Sequence, residues 1–189
     1  MDVSTTQRQK LDAFADLLRD PGVGRGMIGR ADAERVHVRH IHDSLRGAVA
    51  VPPTTRDLCD LGSGGGLPGV VLAVVLPDVR VTLAERRGNR IDFLRSVVDE
   101  LDLANVSIWG SDARTLPPRR FDVVTARAFG AAATAWAVAE PLLSAAGRLL
   151  YWGGSSFDVS GTPVSGARME VSEPSEVAGS GPLVIMTRQ

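Results

Sequence analysis

The chain has 189 residues, a formal net charge of −1 and 44% hydrophobic residues, which is the length and composition of one globular domain without a global basic signal for nucleic acid. A single cysteine, Cys59, excludes an internal disulfide and a cysteine-based zinc cage. The longest apolar run, Val70 to Leu76, is too short to span a membrane, so the expectation is a cytoplasmic protein with no membrane partner.

In chain order, residues 5–19 place Leu11, Phe14, Ala15 and Leu18 on one face at helical spacing, and Asp20-Pro21-Gly22 stops that helix. Residues 21–30 form a glycine-rich loop carrying Arg25 and Arg30. Residues 32–50 read as a second helix capped by Asp32. It holds His37, His40 and His42, with Asp43 three residues after His40. That pair has a conceivable metal-ligand spacing, but a hydrogen-bonded or substrate-facing patch is favoured, and no metal is expected. Val51-Pro52-Pro53 separates this N-terminal helical extension, 1–50, from a core over 51–189.

The core alternates: strand 57–61, helix 67–76, strand 79–84, helix 88–101, strands 105–109 and 121–125, helix 131–143, strand 147–152. That order predicts an open α/β fold with a mostly parallel sheet and helices on both faces. The 153–165 connection is too short for another full helix, and the runs Ala167 to Val171 and Leu183 to Thr187 predict an antiparallel hairpin at the sheet edge. Ligands of such sheets sit at the carboxyl ends of the strands, so the residues closing strands carry the information.

The richest stretch is DLCDLGSGGGLPG, residues 57–69. A short strand ends at Asp60 and runs into Gly62, Ser63, Gly64 and Gly66, then Leu67 and Pro68 open a helix. Glycines there admit positive φ and close approach of a ligand, and exposed N–H groups at a helix start favour an electron-rich group. Glu85 closes the next strand, where a carboxylate can accept two hydrogen bonds from a ribose diol; Arg86 follows it. NAD and S-adenosylmethionine (SAM) both satisfy this. The spacing Gly62, Gly64, Gly66 departs from the pyrophosphate-cradling G-x-G-x-x-G, and Asp60 tips the choice to SAM. Asp112 and Ala113, after the third strand, are placed to meet the adenine amine. Arg127 closes the fourth strand at the cofactor mouth, as a substrate-positioning cation or as an arginine paired to a carboxylate.

An ordered set of segments resembles the RsmG (GidB) family, methyltransferases acting on guanine N7 of bacterial 16S ribosomal RNA. Arg39-His40-Ile41-His42-Asp43-Ser44-Leu45 is similar to the family's R-H-I-x-D-S-L, and 60–69 to its D-x-G-(S/T)-G-x-G-(L/F)-P-G. Arg90-x-x-Phe93-Leu94 is similar to its K-x-x-F-L, with Arg for Lys, and 125–128 to its S-R-A. Two family features are missing. The segment PGVGRGMIGR stands where the family has W-N-x-x-x-N-L-T, and Trp152-Gly153-Gly154 stands where it has Lys-Gly. The resemblance implies a Rossmann-like methyltransferase fold. It also implies a SAM site over Asp60, Gly62, Ser63, Gly64, Gly66, Leu67, Glu85, Arg86, Asp112, Ala113 and Arg127. A substrate side would include Arg39, His40, Asp43, Ser44 and Pro68, with 16S rRNA or the small ribosomal subunit as partner. Attack by guanine N7 needs no general base, so Arg127 is expected to position substrate. Three readings stand here: an rRNA guanine-N7 methyltransferase; a SAM-dependent enzyme, such as a divergent shortened paralogue, acting on a small molecule or another RNA; and a SAM-binding protein without turnover.

Overall fold

A computed structural model describes residues 2–172, 177 and 179–189. The first helix, α1 (Thr5–Leu17), begins at a reciprocal cap: Ser4 Oγ accepts from the Gln7 N–H, and Gln7 Oε1 accepts from the Ser4 N–H. Leu11, Phe14, Ala15 and Leu18 are all buried, as their spacing predicts, and the chain breaks from helical geometry at Asp20 (φ −150°, ψ 115°).

The single helix expected over 32–50 is instead three pieces. A tight turn covers Arg30–Arg35, a wide turn covers His37–His42, and only α2 (Asp43–Ala50) is regular. Asp32 does not cap it. Gly29 holds the cap position, and the Asp32 carboxylate lies 3.0 Å from Arg39 Nε and 3.5 Å from Arg35. Ion pairing with side chains further along the chain outcompetes the local cap. Widening the helix there turns Ile41, Asp43 and Ser44 inward together.

Strand β1 (Asp57–Leu61) is central, with β2 (Arg80–Ala84) and β4 (Phe121–Arg127) parallel on either side. Outward lie β3 (Val106–Trp109) beside β2, and β5 (Leu143–Trp152) beside β4. The C-terminal runs, β6 (Ala167–Val171) and β7 (Leu183–Arg188), pair antiparallel as expected, with β7 inserted between β5 and β6. Residues 173–176 and 178 of the Gly/Ser/Pro/Glu-containing connection between them lie outside the described residues. The full order is β3-β2-β1-β4-β5-β7-β6. The chain leaves β1 in one direction and returns on its other side as β4, so the crevice between those two carboxyl ends is the topological switch point.

Helix α3 (Gly69–Val75) is apolar all round and fully buried beneath α1 and α2. Its last carbonyls are satisfied from outside: Gln7 donates to Val74 and Val75, and Asn105 donates to Ala73 and Leu76. Helix α4 (Gly88–Glu100) packs Ile91, Phe93, Leu94 and Val97 inward, and α5 (Ala132–Ala139) covers the other face through Ala135, Trp136 and Ala139. Cys59 lies in the core under that second face, and burial pushes its thiol far up, which makes it inert. Among the described residues, no helix is long and apolar enough to cross a membrane.

Candidate functional site

Three adjoining clefts open at the carboxyl ends of β1, β2, β4 and β5, and Ala128 lines all of them. Ala128 has φ 53°, a conformation disfavoured for a residue with a Cβ, directly after Arg127.

The first cleft, about 320 Å³, is walled by Gly62, Glu85, Arg86, Arg90, Asp112, Ala113 and Phe129 among others. Glu85 is buried at its edge and organises the loops around it. Oε2 accepts from the Gly64 N–H at 3.1 Å, and Oε1 accepts from the N–H groups of Arg86 and Arg87 at 2.8 and 3.0 Å. Arg90 Nη1 stands 3.6 Å from Oε2. Asp112 caps the turn Ala113–Thr115 by accepting from the Arg114 N–H, which with the Arg114 charge holds its carboxyl below the usual range.

The second cleft, about 350 Å³, runs along the glycine loop. It is lined by Ser63, Gly64, Gly65, Leu67, His40, Arg90 and Arg127, and by Met27 and Ile28 of the 21–30 loop. Gly62, Gly64 and Gly66 all take positive φ (62°, 55° and 90°), as the turn requires. Gly62 and Gly64 face the clefts, whereas Gly66 is tucked under the loop, where an added Cβ would meet Val70 at 2.7 Å.

Asp60, predicted to reach the cofactor, lies behind the loop with 1% of its surface exposed. Its Oδ1 accepts from Thr125 Oγ1 at 2.6 Å, across the β1–β4 register pair, and its Oδ2 faces Gly69 at the start of α3 without a hydrogen-bond partner. Burial pushes its carboxyl up to about 6, opposed chiefly by the Thr125 hydroxyl and, at longer range, by the charge of Arg127. Pro68 is buried as well, at the head of α3.

The third cleft, about 490 Å³, holds Arg39, Asp43, Arg127, Tyr151, Trp152 and the glycines at 153–154. Arg127 joins it to the second cleft. Its guanidinium donates from Nη2 to the Arg39 carbonyl at 3.1 Å, and from Nη1 to Ser44 Oγ at 3.4 Å. Nη2 also lies 3.1 Å from His40 Nδ1 and 3.3 Å from Asp43 Oδ2. Asp43 is buried and shared: Arg46 donates to its Oδ1 at 2.8 Å, and its backbone carbonyl accepts from Trp152 Nε1 at 3.0 Å. The alternative of an arginine paired to a carboxylate is thus present in the geometry, and the same arginine lines two clefts. Burial first, then the neighbouring Arg127 charge, hold His40 down at about 4, so it is neutral at ordinary pH. Ser44, fully buried, is behind this cluster and donates to the His40 carbonyl.

The structure therefore brings Gly62, Ser63, Gly64, Leu67, Glu85, Arg86, Asp112, Ala113, Arg39, His40, Asp43 and Arg127 to the cleft walls. It leaves Asp60, Gly66, Pro68 and Ser44 behind them. Sequence reasoning did not single out Arg90, Phe129, Met27 and Ile28 as wall residues. Met27-Ile28 carried a signal, because an apolar pair inside a glycine-rich loop needs a surface to pack on. Among the described residues no group of His, Cys, Asp or Glu is arranged to hold a metal ion.

The GidB family model, described as rRNA small subunit methyltransferase G, matches residues 7–159. The ribosomal RNA small subunit methyltransferase G of Nocardioides sp. is 42% identical over 146 residues, covering 77% of this chain and 58% of that protein. The protein of that name from Cereibacter sphaeroides is 37% identical over 163 residues, covering 83% and 77%. The one from Thermobifida fusca is 41% identical over 138 residues, covering 72% and 58%. The match thus spans about 58% of the length of two of these relatives. Among solved structures, a SAM dependent methyltransferase from Aquifex aeolicus aligns with a TM-score of 0.60 at 14% identity, over 92% of this chain and 97% of that one. MtNAS in complex with MTA and tNA aligns with a TM-score of 0.66 at 14% identity, over 97% and 71%. These likenesses establish a Rossmann-like methyltransferase fold. With the family model covering most of the sequence and relatives at 37–42% identity, the chain belongs to the rRNA small subunit methyltransferase G (GidB) family.

Proposed function

We propose that this protein is a SAM-dependent methyltransferase acting on guanine N7 of 16S ribosomal RNA in the small subunit, and hence in the cytoplasm. The observation that carries the reading is the meeting of two clefts at the β1–β4 switch point. One is ringed by Glu85 and Asp112 and the other by the glycine loop and Arg127, in a chain that matches the family over 7–159.

The residues present fit the cofactor. The loop at Gly62–Gly64 keeps side chains out of the groove, and Glu85 is pre-oriented by three backbone N–H groups. Asp112 and Ala113 stand across the same cleft. When bound, SAM supplies an electrophilic methyl group on a sulfonium. Gly62, Ser63, Gly64 and Leu67 would hold its methionine part, and Glu85, Arg86, Asp112 and Ala113 its adenosine part.

The chain then has little acid–base work to do. Guanine N7 carries a lone pair and no proton, so no base has to remove one. What remains is alignment and exclusion of water, which positioned groups on rigid elements supply. Arg127, fixed by four neighbours, holds the walls of the second and third clefts in one geometry. Arg25, Arg30 and Arg35 are exposed beside them and offer cations to an RNA backbone.

The test is methyl transfer from labelled SAM to small ribosomal subunits lacking the family's guanine methylation, followed by mapping of the labelled base. Label on that guanine N7 supports the reading. Absence of label with SAM still bound tightly in calorimetry overturns the rRNA assignment and leaves a cofactor site with another substrate.

A further inference from the structure

The first cleft carries more positive charge than its cofactor can use. Arg86, Arg87, Arg90 and Arg114 all line it, against two carboxylates, Glu85 and Asp112. The chain as a whole has 21 Lys and Arg against 22 Asp and Glu, so this surplus is local. Arg90 stands 3.6 Å from Glu85, and Arg114, whose side chain is 61% exposed, lies 3.2 Å from Asp112. Arg86 and Arg87 are both exposed, and among the described residues no carboxylate lies within ion-pair distance of either side chain. Their backbone N–H groups donate to Glu85 Oε1 and fix the turn, which leaves the two guanidinium groups in water at the rim. The Arg86 charge is felt by Asp112 on the same rim, where it helps hold that carboxyl low.

SAM brings nothing to pair with these cations. Its adenosine end, which the first cleft would hold, is uncharged. Its carboxylate belongs to the methionine end, along the glycine loop, and its sulfur is itself cationic. Guanidinium groups clustered around a mouth raise the local concentration of polyanions and offer forks that match phosphate. We propose that the backbone of the substrate RNA crosses the mouth of the first cleft on Arg86, Arg87 and Arg114, and so lies over the bound cofactor. The inference rests on the rRNA reading above and adds a second line of contact to it. Arg25, Arg30 and Arg35 stand beside the second and third clefts, whereas this rim borders the first, and the first and second clefts share Gly62, Arg90 and Ala128. An RNA held at both borders closes the adenosine cleft from above. The cofactor then has to enter before the RNA, and S-adenosylhomocysteine leaves after it. Arg86 serves both, the cofactor through the Glu85 that its N–H fixes and the RNA through its side chain.

The experiment measures binding of small-subunit RNA at a series of salt concentrations, with S-adenosylhomocysteine present so that no turnover is needed. The variants are Arg87→Gln, Arg114→Gln and the two together. Each arginine removed is expected to flatten the dependence of log Kd on log salt by about 0.7–0.9, and the pair by roughly 1.4–1.8, as phosphate contacts are lost. Affinity for S-adenosylhomocysteine without RNA, by calorimetry, is expected to be unchanged. In stopped flow, RNA is expected to slow the release of S-adenosylhomocysteine from wild type and to lose that effect in the double variant. A salt slope unchanged in the double variant overturns the proposal, because the RNA then passes elsewhere. So does weaker binding of S-adenosylhomocysteine by the variants without RNA, because the arginines then serve the cofactor. Release from wild type that RNA does not slow overturns it too, and that measurement needs no variant to fold. A wild type that neither labels nor binds the RNA ends the rRNA reading and this inference with it, whereas tight binding with an untouched slope ends this inference alone.

Discussion

Replacing Arg127 by Ala removes a group that holds the fold together as well as lining the site. The guanidinium donates to the Arg39 carbonyl and Ser44 Oγ, contacts His40 Nδ1, and lies 3.3 Å from Asp43 Oδ2. The Asp43 side chain is 5% exposed. Truncation therefore strands a carboxylate oxygen out of water, while Arg46 keeps the other oxygen paired at 2.8 Å. Breaking a buried ion pair from one side costs 3–5 kcal/mol, and the remaining partner places this case near the low end, about 3 kcal/mol. For a chain of this size each kcal/mol corresponds to roughly 2–4 °C, so the expected loss in Tm is about 6–12 °C. Arg127→Lys retains a charge opposite Asp43 but not the fork, and is expected to fall between. The double variant Arg127→Ala with Asp43→Asn removes the stranded charge, so its loss is expected to be smaller than the sum of the singles by at least about 1 kcal/mol. Calorimetric unfolding at neutral pH measures all four. A Tm for Arg127→Ala within about 2 °C of wild type, or additive singles, would refute the argument that Arg127 is anchored. The consequence for activity is practical: a loss of transfer in Arg127→Ala identifies a substrate contact only after correction for the folded fraction.

Two further outcomes follow from the geometry. Glu85→Ala is expected to weaken SAM by about 2–3 kcal/mol, the size of a charge-assisted hydrogen-bond pair, and to leave the N–H groups of Gly64, Arg86 and Arg87 without their acceptor; unchanged affinity in calorimetry would rule out the ribose role. Asp60→Asn tests the buried carboxyl. Its folded value, about 6, lies above the ordinary 3.8, so the fold binds more protons than the unfolded chain between those limits, and the wild-type contribution is lost as pH rises through 6. The variant should therefore gain stability relative to wild type on going from pH 4 to pH 7, by about 2 kcal/mol for a carboxyl raised from 3.8 to about 6, and a difference independent of pH would contradict the assignment.

The core strands, the glycine turn and the edge hairpin were legible because each is written locally, in apolar runs, turn residues and helical spacing. What was illegible depends on distance through space. Asp32 has the composition of a cap, but Arg35 and Arg39 draw it away and the helix over 32–50 breaks into separate turns. Asp60 and Gly66 belong to the right motif. However, the carboxylate turns under the loop toward Thr125, and the glycine is required by Val70 and Phe14 packed beneath it. A motif names the residues that build a site without separating those that face the ligand from those that hold the facing ones in place. The pairing of Arg127 with Asp43 spans 84 positions, and nothing in local pattern ranks it above any other arginine–carboxylate pair.

That pairing also bears on how this chain can lack two usual family features and keep its centre. His40, Asp43, Ser44 and Arg127 meet through their side chains, with the backbone carbonyls of Arg39 and His40 as further acceptors, so removing the Arg127 or Asp43 side chain strands a buried partner. Arg25, Arg30 and Arg35, by contrast, are exposed, and Gly153 and Gly154 form open wall in the third cleft. Substitutions at those arginines and at Gly154, where an added Cβ meets nothing within 4 Å, carry little folding cost, whereas a Cβ at Gly153 would press on Phe157 at 2.9 Å. The exposed arginines of the 21–30 loop are thus free to diverge, whereas Trp152, buried and donating to the Asp43 carbonyl, and the Asp43–Arg127 pair are held in place by packing and hydrogen bonding.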